Sequence, residues 1–250
     1  MQPLTTGNIR LAATVMLVRD ADPGIEVFMV KRPGRGDFPD LHVFPGGKVD
    51  AADYAPQLCA GIDEADANRQ LGLEAGALRY WVAVARECFE ECAVLIANRE
   101  GARLELRDAS AARFAELRQR LLAGELEFGQ LCEQENLQVA CDRLGYFSHW
   151  LTPEVAPRRF DTRFFVAAMP EHQDTLADTY ETAGDHWVSP AVALDRFQRG
   201  EWQMIDPTIR SLQTLSQFDS VASTLSGVQA GNHLMPLTTE LARQGMQPLR

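Results

Sequence analysis

The sequence predicts a mixed α/β domain with helices packed on a sheet. Three observations carry this: a pair of apolar strands near the start, a long amphipathic helix after a glycine turn, and further strands ahead of a helix that begins Ser-Pro. The 250 residues are 46% hydrophobic and 24% charged, an ordinary globular composition that can bury a real core. We expect one domain over residues 1–250, carrying insertions near 54–78 and 105–145 and a helical extension near 207–250.

Leu11 to Val18 is a short apolar run that reads as a buried strand, and Ile25 to Lys31 is its partner across the Ala21-Asp22-Pro23-Gly24 turn. A loop rich in Gly, Pro and Asp runs from Arg32 to Asp40. The short extended piece His42-Val43-Phe44 then enters Pro45-Gly46-Gly47. Leu78 to Ala97 is the clearest helix, with Trp81, Val84 or Ala85, Cys88 and Cys92 on one stripe. Two helices follow near Ala111–Ala123 and Phe128–Glu135, divided by Gly124. Ser148–Leu151 and Phe160–Met169 read as strands, and Thr179–Val188 as a loop entering a strand. Two further helices begin at Ser189-Pro190 and at Pro207.

The net charge of −11 argues against a basic nucleic-acid groove, although a divalent metal can still bridge an acidic protein to an anionic substrate. The five cysteines form no C-x-x-C pair, and they read as buried thiols in a reducing cytoplasm. Neither a signal peptide nor a peroxisomal C-terminal tripeptide is expected from MQPLTTGNIRLAATVML and QPLR. No run approaches the ~20 apolar residues needed to span a bilayer, so no membrane association is expected.

Chemistry concentrates in Arg86-Glu87-Cys88-Phe89-Glu90-Glu91. Glu87, Glu90 and Glu91 stand at i, i+3 and i+4 and share one helical face, where like charges cost a few tenths of a kcal/mol unless something offsets them. A hard divalent cation would do so, and Arg86 can fix a carboxylate rotamer. The plain alternative is a solvated acidic face. Phe44-Pro45-Gly46-Gly47 reads either as a turn or as a place where the backbone approaches a ligand closely.

Together these residues resemble the Nudix hydrolase signature, G-x5-E-x7-R-E-U-x-E-E-x-G-U, in which U is a bulky apolar residue. Gly47 takes the first position, Arg86, Glu87, Glu90 and Glu91 the charged ones, and Cys88 and Val94 the apolar slots. Asp53 stands in place of the first glutamate, and Ala93 in place of the last glycine. The residues between Asp53 and Arg86, 54 to 85, number 32 where the signature has seven, an insertion of 25. The resemblance implies the Nudix fold, an α/β/α sandwich around a mixed sheet. It implies Mg²⁺ or Mn²⁺ held by Glu87, Glu90, Glu91 and the Gly46 carbonyl, with Arg86 and Glu90 in the catalytic set. Glu181 matches the family's late glutamate ahead of Trp187, with Asp185 as the fallback, and Glu87 or Glu181 would be the base.

The split motif is similar to the Nudix branch that includes the animal peroxisomal and mitochondrial coenzyme A diphosphatases. That branch shares the phrases at His42–Gly47, Trp150–Pro153 and Arg158–Phe165. The resemblance implies cleavage of coenzyme A or acyl-coenzyme A to 3′,5′-ADP and (acyl-)phosphopantetheine. It leaves two alternatives: a Nudix hydrolase of ADP-ribose, NADH or another dinucleotide, and a non-catalytic ligand sensor. The partner is a small-molecule nucleotide, and the family's common homodimer is compatible with the chain. Substrate contacts are expected from Phe44 and from Arg32, Arg35, Arg158, Arg159 and Arg163, since Arg suits bidentate phosphate contacts. The insertion near 54–78, tethered at both ends beside the glycine turn, is expected to shape substrate choice.

Overall fold

The computed structural model describes residues 5–6, 9–34, 40–152, 154, 156, 158–176 and 184–231. Arg35 and Glu181 therefore lie outside the described residues. Strand β1 (Thr5–Thr6) pairs with β2 (Ile9–Asp20), which turns back into β3 (Ile25–Lys31). These two long strands pair with each other only at their closed end, Val18–Asp20 against Ile25–Val27. Beyond it they part. The opening is filled by β4 (His42–Val43), which pairs with β3, and β5 (Gly46–Lys48), which pairs with β2 at Ala12–Thr14. The Val15 amide donates to the Pro45 carbonyl at 2.9 Å, which completes the wedge. The glycine turn is thus built into the middle of the sheet.

After β6 (Cys59–Ala60) come α1 (Glu64–Leu71), α2 (Leu78–Cys92), β7 (Ala97–Arg99), β8 (Ala102–Arg103), α3 (Asp108–Leu122), α4 (Phe128–Gln134) and β9 (Leu137–Ala140). Strands β10 (Gly145–Leu151), β11 (Arg159–Ala168) and β12 (Gly184–Val188) follow. Helices α5 (Pro190–Gln198), α6 (Asp206–Leu215) and α7 (Val221–Gln229) close the described chain. The main sheet runs β10-β11-β2-β3-β12, with β11 parallel to β2 and the other pairs antiparallel, so it is mixed as predicted. The alternation of β2 divides the layers. Ala13, Val15 and Leu17 pack in one core with α2, while Met16 and Val18 pack in the other with Leu212 and Leu215 of α6 and Val228 of α7. The result is the predicted α/β/α arrangement.

Helix α2 is buried nearly all round: every residue except Arg79 and Glu90. The cause is a second sheet, β6-β9-β7-β8, which with α3 covers the flank of α2 left open by the main sheet. The parallel pairing of β6 with β9 joins the segment near 54–78 to the one near 105–145. The first of these, expected to shape substrate choice, packs against α2. Its Ala55, Leu58, Ala67, Leu71 and Ala77 are spent on the core around α2.

Helix α2 also stops five residues before the predicted Ala97. Ala93 adopts a left-handed conformation (φ 61°, ψ 14°), its amide donates to the Phe89 carbonyl at 3.0 Å, and Val94, Leu95 and Ile96 turn into the core. An L-residue in this region costs about 1–2 kcal/mol relative to glycine. Ala93→Gly is therefore expected to raise stability by about 1 kcal/mol, seen as a rise of about 2–4 °C in melting temperature for a domain of this size. A fall in melting temperature would show that the Ala93 methyl makes packing contacts worth more than the strain.

Candidate active site

Two glycines allow the turn to lie between β2 and α2. Gly46 has φ +152°, and a Cβ there would strike the Ala13 carbonyl and Thr14. A Cβ on Gly47 would sit 2.5 Å from both carboxylate oxygens of Glu87. The Gly46 amide donates to Glu91 Oε2 at 2.8 Å, and Glu91 is buried. The second carboxylate of the pair at the end of α2 therefore fastens the turn to the helix across 45 residues of sequence.

Arg86 is the hub of the site. Its Nε and Nη2 donate to Asp53 Oδ1 and Oδ2 at 2.9 and 3.0 Å, a two-pronged pairing. Its Nη1 donates to Glu87 Oε1 and Glu90 Oε2, both at 2.9 Å, and Nη2 also reaches the Lys48 carbonyl at 2.8 Å. Burial would by itself lower the Arg86 pKa. The charges of Glu87, Asp53 and Glu90 more than reverse that and hold it above the ordinary value. Asp53, aspartate where the signature has glutamate, thus closes the base of the insertion onto α2. Its Oδ2 also accepts from the Asp50 amide at 2.7 Å. Asp50 stands beside this pair, and its carboxyl is raised by burial first, with Arg86 opposing and Asp53 adding to the rise.

A cleft of about 1090 Å³ opens over these groups. One end holds Glu87, Glu90, Glu91, Asp50, Arg86, Lys48, Arg32 and the glycine turn. The other is apolar, with Trp150, Phe160 and Phe164 from the sheet facing Phe197, Met204, Ile205 and Ile209 from the α5–α6 region. That second wall is docked onto β4 through His42, whose amide donates to the Gln203 carbonyl at 2.8 Å and whose ring stacks on Trp202 at 4.1 Å. Burial, with His186 and Lys31 adding, pushes the His42 imidazole down to about 4, so it is neutral at pH 7. Trp202 carries no sequence signal beyond being aromatic, while His42 opens the shared His42–Gly47 phrase.

The expected site residues divide. Arg86, Glu87, Glu90, Glu91, Gly46, Phe44 and Arg32 come together along the cleft, with Arg32 Nη2 donating to the Gly46 carbonyl at 3.1 Å. Arg158, Arg159 and Arg163 do not line it. Arg158 is exposed, and Arg159 Nε donates to the Thr152 carbonyl at 3.1 Å. Arg163 falls on the opposite face of β11 from Phe160, Thr162 and Phe164. There Nη1 donates to the Leu71 carbonyl at 3.0 Å and to Tyr146 Oη at 3.3 Å, with Asp161 beside it at 3.4 Å. Among the described residues, no residue from 51 to 85 lines the cleft.

The donors suit a hard cation. Three carboxylates and Gly46 line the same cleft, and the absent side chain of Gly47 lets the Glu87 carboxylate lie against the turn, where a Cβ would clash with it. Among the described residues no group of three His, Cys, Asp or Glu side chains is already placed to hold a metal ion. Mg²⁺ does not require one, because it usually keeps several waters and takes one or two carboxylates.

The NUDT19 Nudix domain family model matches residues 75–215, which takes in α2 and the apolar wall but not the glycine turn. The chain is 29% identical to the acyl-coenzyme A diphosphatase NUDT19 of Gallus gallus, over 85% of this chain and 69% of that protein. It is 26% identical to the Homo sapiens protein of the same name, over 80% and 62%, and 24% identical to that of Xenopus laevis, over 77% and 60%. The chain thus spans between 60% and 69% of the length of these relatives. Among solved structures, a NUDIX hydrolase from Alicyclobacillus acidocaldarius is 26% identical with a TM-score of 0.68, covering 87% of this chain and 96% of that one.

Proposed function

The chain belongs to the Nudix hydrolases, in the NUDT19 Nudix domain family, and from that premise we propose that it cleaves the diphosphate of coenzyme A or an acyl-coenzyme A. The observation that carries this reading is the two-ended cleft. A carboxylate-lined end suits a metal-bridged diphosphate, and an apolar end suits a pantetheine or acyl arm. The vertebrate relatives bear the name of that activity.

Glu87, Glu90, Glu91 and the Gly46 carbonyl would hold Mg²⁺ or Mn²⁺. The ion would neutralise phosphate oxygens and make water a better nucleophile. The protein does the rest. Arg86 keeps Glu87 and Glu90 oriented, and Arg32 and Lys48 add positive charge at the diphosphate end. A carboxylate, Glu87 or Glu181, takes the proton of the attacking water. The new P–O bond forms as the bridging P–O bond breaks, leaving 3′,5′-ADP and (acyl-)phosphopantetheine. The apolar wall excludes water from the arm and aligns it.

No helix among the described residues is long and apolar enough to cross a membrane. All five cysteines are free, which supports the cytoplasm as the proposed compartment. The substrate reading is tested by kcat/KM for coenzyme A, a long-chain acyl-coenzyme A, ADP-ribose and NADH under one Mg²⁺ concentration. Coenzyme A or its thioester should lead by at least about tenfold, the size of one or two well-buried apolar groups. Equal or better turnover of ADP-ribose or NADH would overturn the assignment of the apolar end.

A further inference from the structure

We infer that Arg118, on α3 of the region near 105–145, is a positioning residue for the metal-holding end of α2. The inference rests on the reading that Glu90 and Glu91 hold the metal. Arg118 is 3% exposed, and its Nε and Nη2 donate to the Glu90 carbonyl at 3.0 and 2.8 Å. Two N–H groups of the guanidinium thus converge on one backbone oxygen, that of the residue whose side chain faces the cleft.

The need for such a donor follows from how α2 ends. A helix leaves its last carbonyls beyond the reach of its own i+4 amides. Here the chain swings away at Ala93 in the left-handed region, and Ala93 holds that turn less well than the glycine of the signature would. A cation at a helix C-terminus is also favoured by the helix dipole. Arg118 supplies two N–H donors and a positive charge at this point. Glu91, in the same turn, fastens the glycine turn. Loosening the turn would therefore move Glu90 and Glu91 together with the Gly46 carbonyl.

The placement of Arg118 is costly, so a bystander role is a poor account of it. On α3 the buried residues are Phe114, Leu117, Arg118 and Leu121, so the arginine occupies a core-facing position of an apolar stripe. A buried guanidinium survives only with hydrogen-bonded partners. The region between α2 and β10 thereby acts on the active site from behind the helix while lining no part of the cleft.

The test uses the full-length protein, with Arg118→Met to keep the bulk of the stem and Arg118→Lys to keep the charge and part of the donor set. Mn²⁺ binding without substrate is followed by the electron paramagnetic resonance of free Mn²⁺. Amide hydrogen exchange is measured over residues 88–95 in the metal-free protein. We expect Arg118→Met to weaken Mn²⁺ binding by about 10–100-fold, the range for groups that orient metal ligands, and to speed exchange at the end of α2. Arg118→Lys should recover part of both, and KM for coenzyme A should change less than the Mn²⁺ dependence. Wild-type Mn²⁺ affinity and unchanged exchange in a folded Arg118→Met variant would overturn the inference while leaving the metal reading in place. If Arg118→Met does not fold, Arg118→Lys decides alone: Mn²⁺ affinity equal to wild type with unchanged exchange overturns it. Failure of the wild-type protein to bind Mn²⁺ would instead remove the underlying reading, and this inference with it.

Discussion

Glu90→Gln is expected to lower turnover by about 10²–10⁴-fold while leaving the fold intact. Glu90 is the most exposed carboxylate of the α2 triplet, and it lines the cleft. The substitution removes its charge and keeps its shape. A carboxamide oxygen can still accept from Arg86 Nη1, which Glu90 Oε2 now meets at 2.9 Å, and helix propensity barely changes. Stability should therefore stay within about 1 kcal/mol of wild type, and the loss should appear in kcat at saturating Mg²⁺. Near-wild-type kcat under those conditions would remove Glu90 from the metal site. A matching loss of secondary structure would point to a structural role instead.

Arg86→Met should lower stability by about 3–5 kcal/mol, because it strands buried carboxylates. Arg86 and Asp53 side chains are each 3% exposed and joined by two hydrogen bonds, and Glu87 and Glu90 share the same guanidinium. Arg86→Lys should recover only part of the loss, since one ammonium cannot span Asp53, both glutamates and the Lys48 carbonyl together. Adding Asp53→Asn to Arg86→Met should restore part of the stability by removing one stranded charge. Urea unfolding of the four proteins measures this. An Arg86→Met variant within about 1 kcal/mol of wild type would mean the hub contributes little to the fold.

Much of the fold was legible because its signals are local. The apolar run Leu11–Val18 reads directly as a buried strand, and the carboxylates of Glu87, Glu90 and Glu91 fall together from helical spacing alone. What stayed hidden depends on partners remote in sequence. Asp53 meets Arg86 across 33 positions, with the whole insertion between them. The end of α2 at Cys92 could be read from Ala93 only by knowing that the chain must turn there into the small sheet. Arg163 illustrates a different limit. Its parity on β11 separates it from Phe160, Thr162 and Phe164, yet nothing in the strand says which of its two faces meets the cleft. The 54–78 segment was expected to shape substrate choice because it is tethered at both ends beside the glycine turn. In the fold its Ala55, Leu58, Ala67, Leu71 and Ala77 pack in the core around α2, and β6 pairs with β9. Arg118 did leave a trace, as a charge within the Phe114–Leu117–Leu121 stripe.

A metal-dependent diphosphatase of coenzyme A type is identified by the masses of its products. Coenzyme A and Mg²⁺ are incubated with the protein in ¹⁸O-labelled water, with and without excess EDTA. The expected products are 3′,5′-ADP and phosphopantetheine in equal amounts, one of them carrying a single labelled oxygen, with none formed in EDTA. Full turnover in excess chelator would contradict the metal, and release of the thiol arm by cleavage at any bond other than the diphosphate would contradict the reaction.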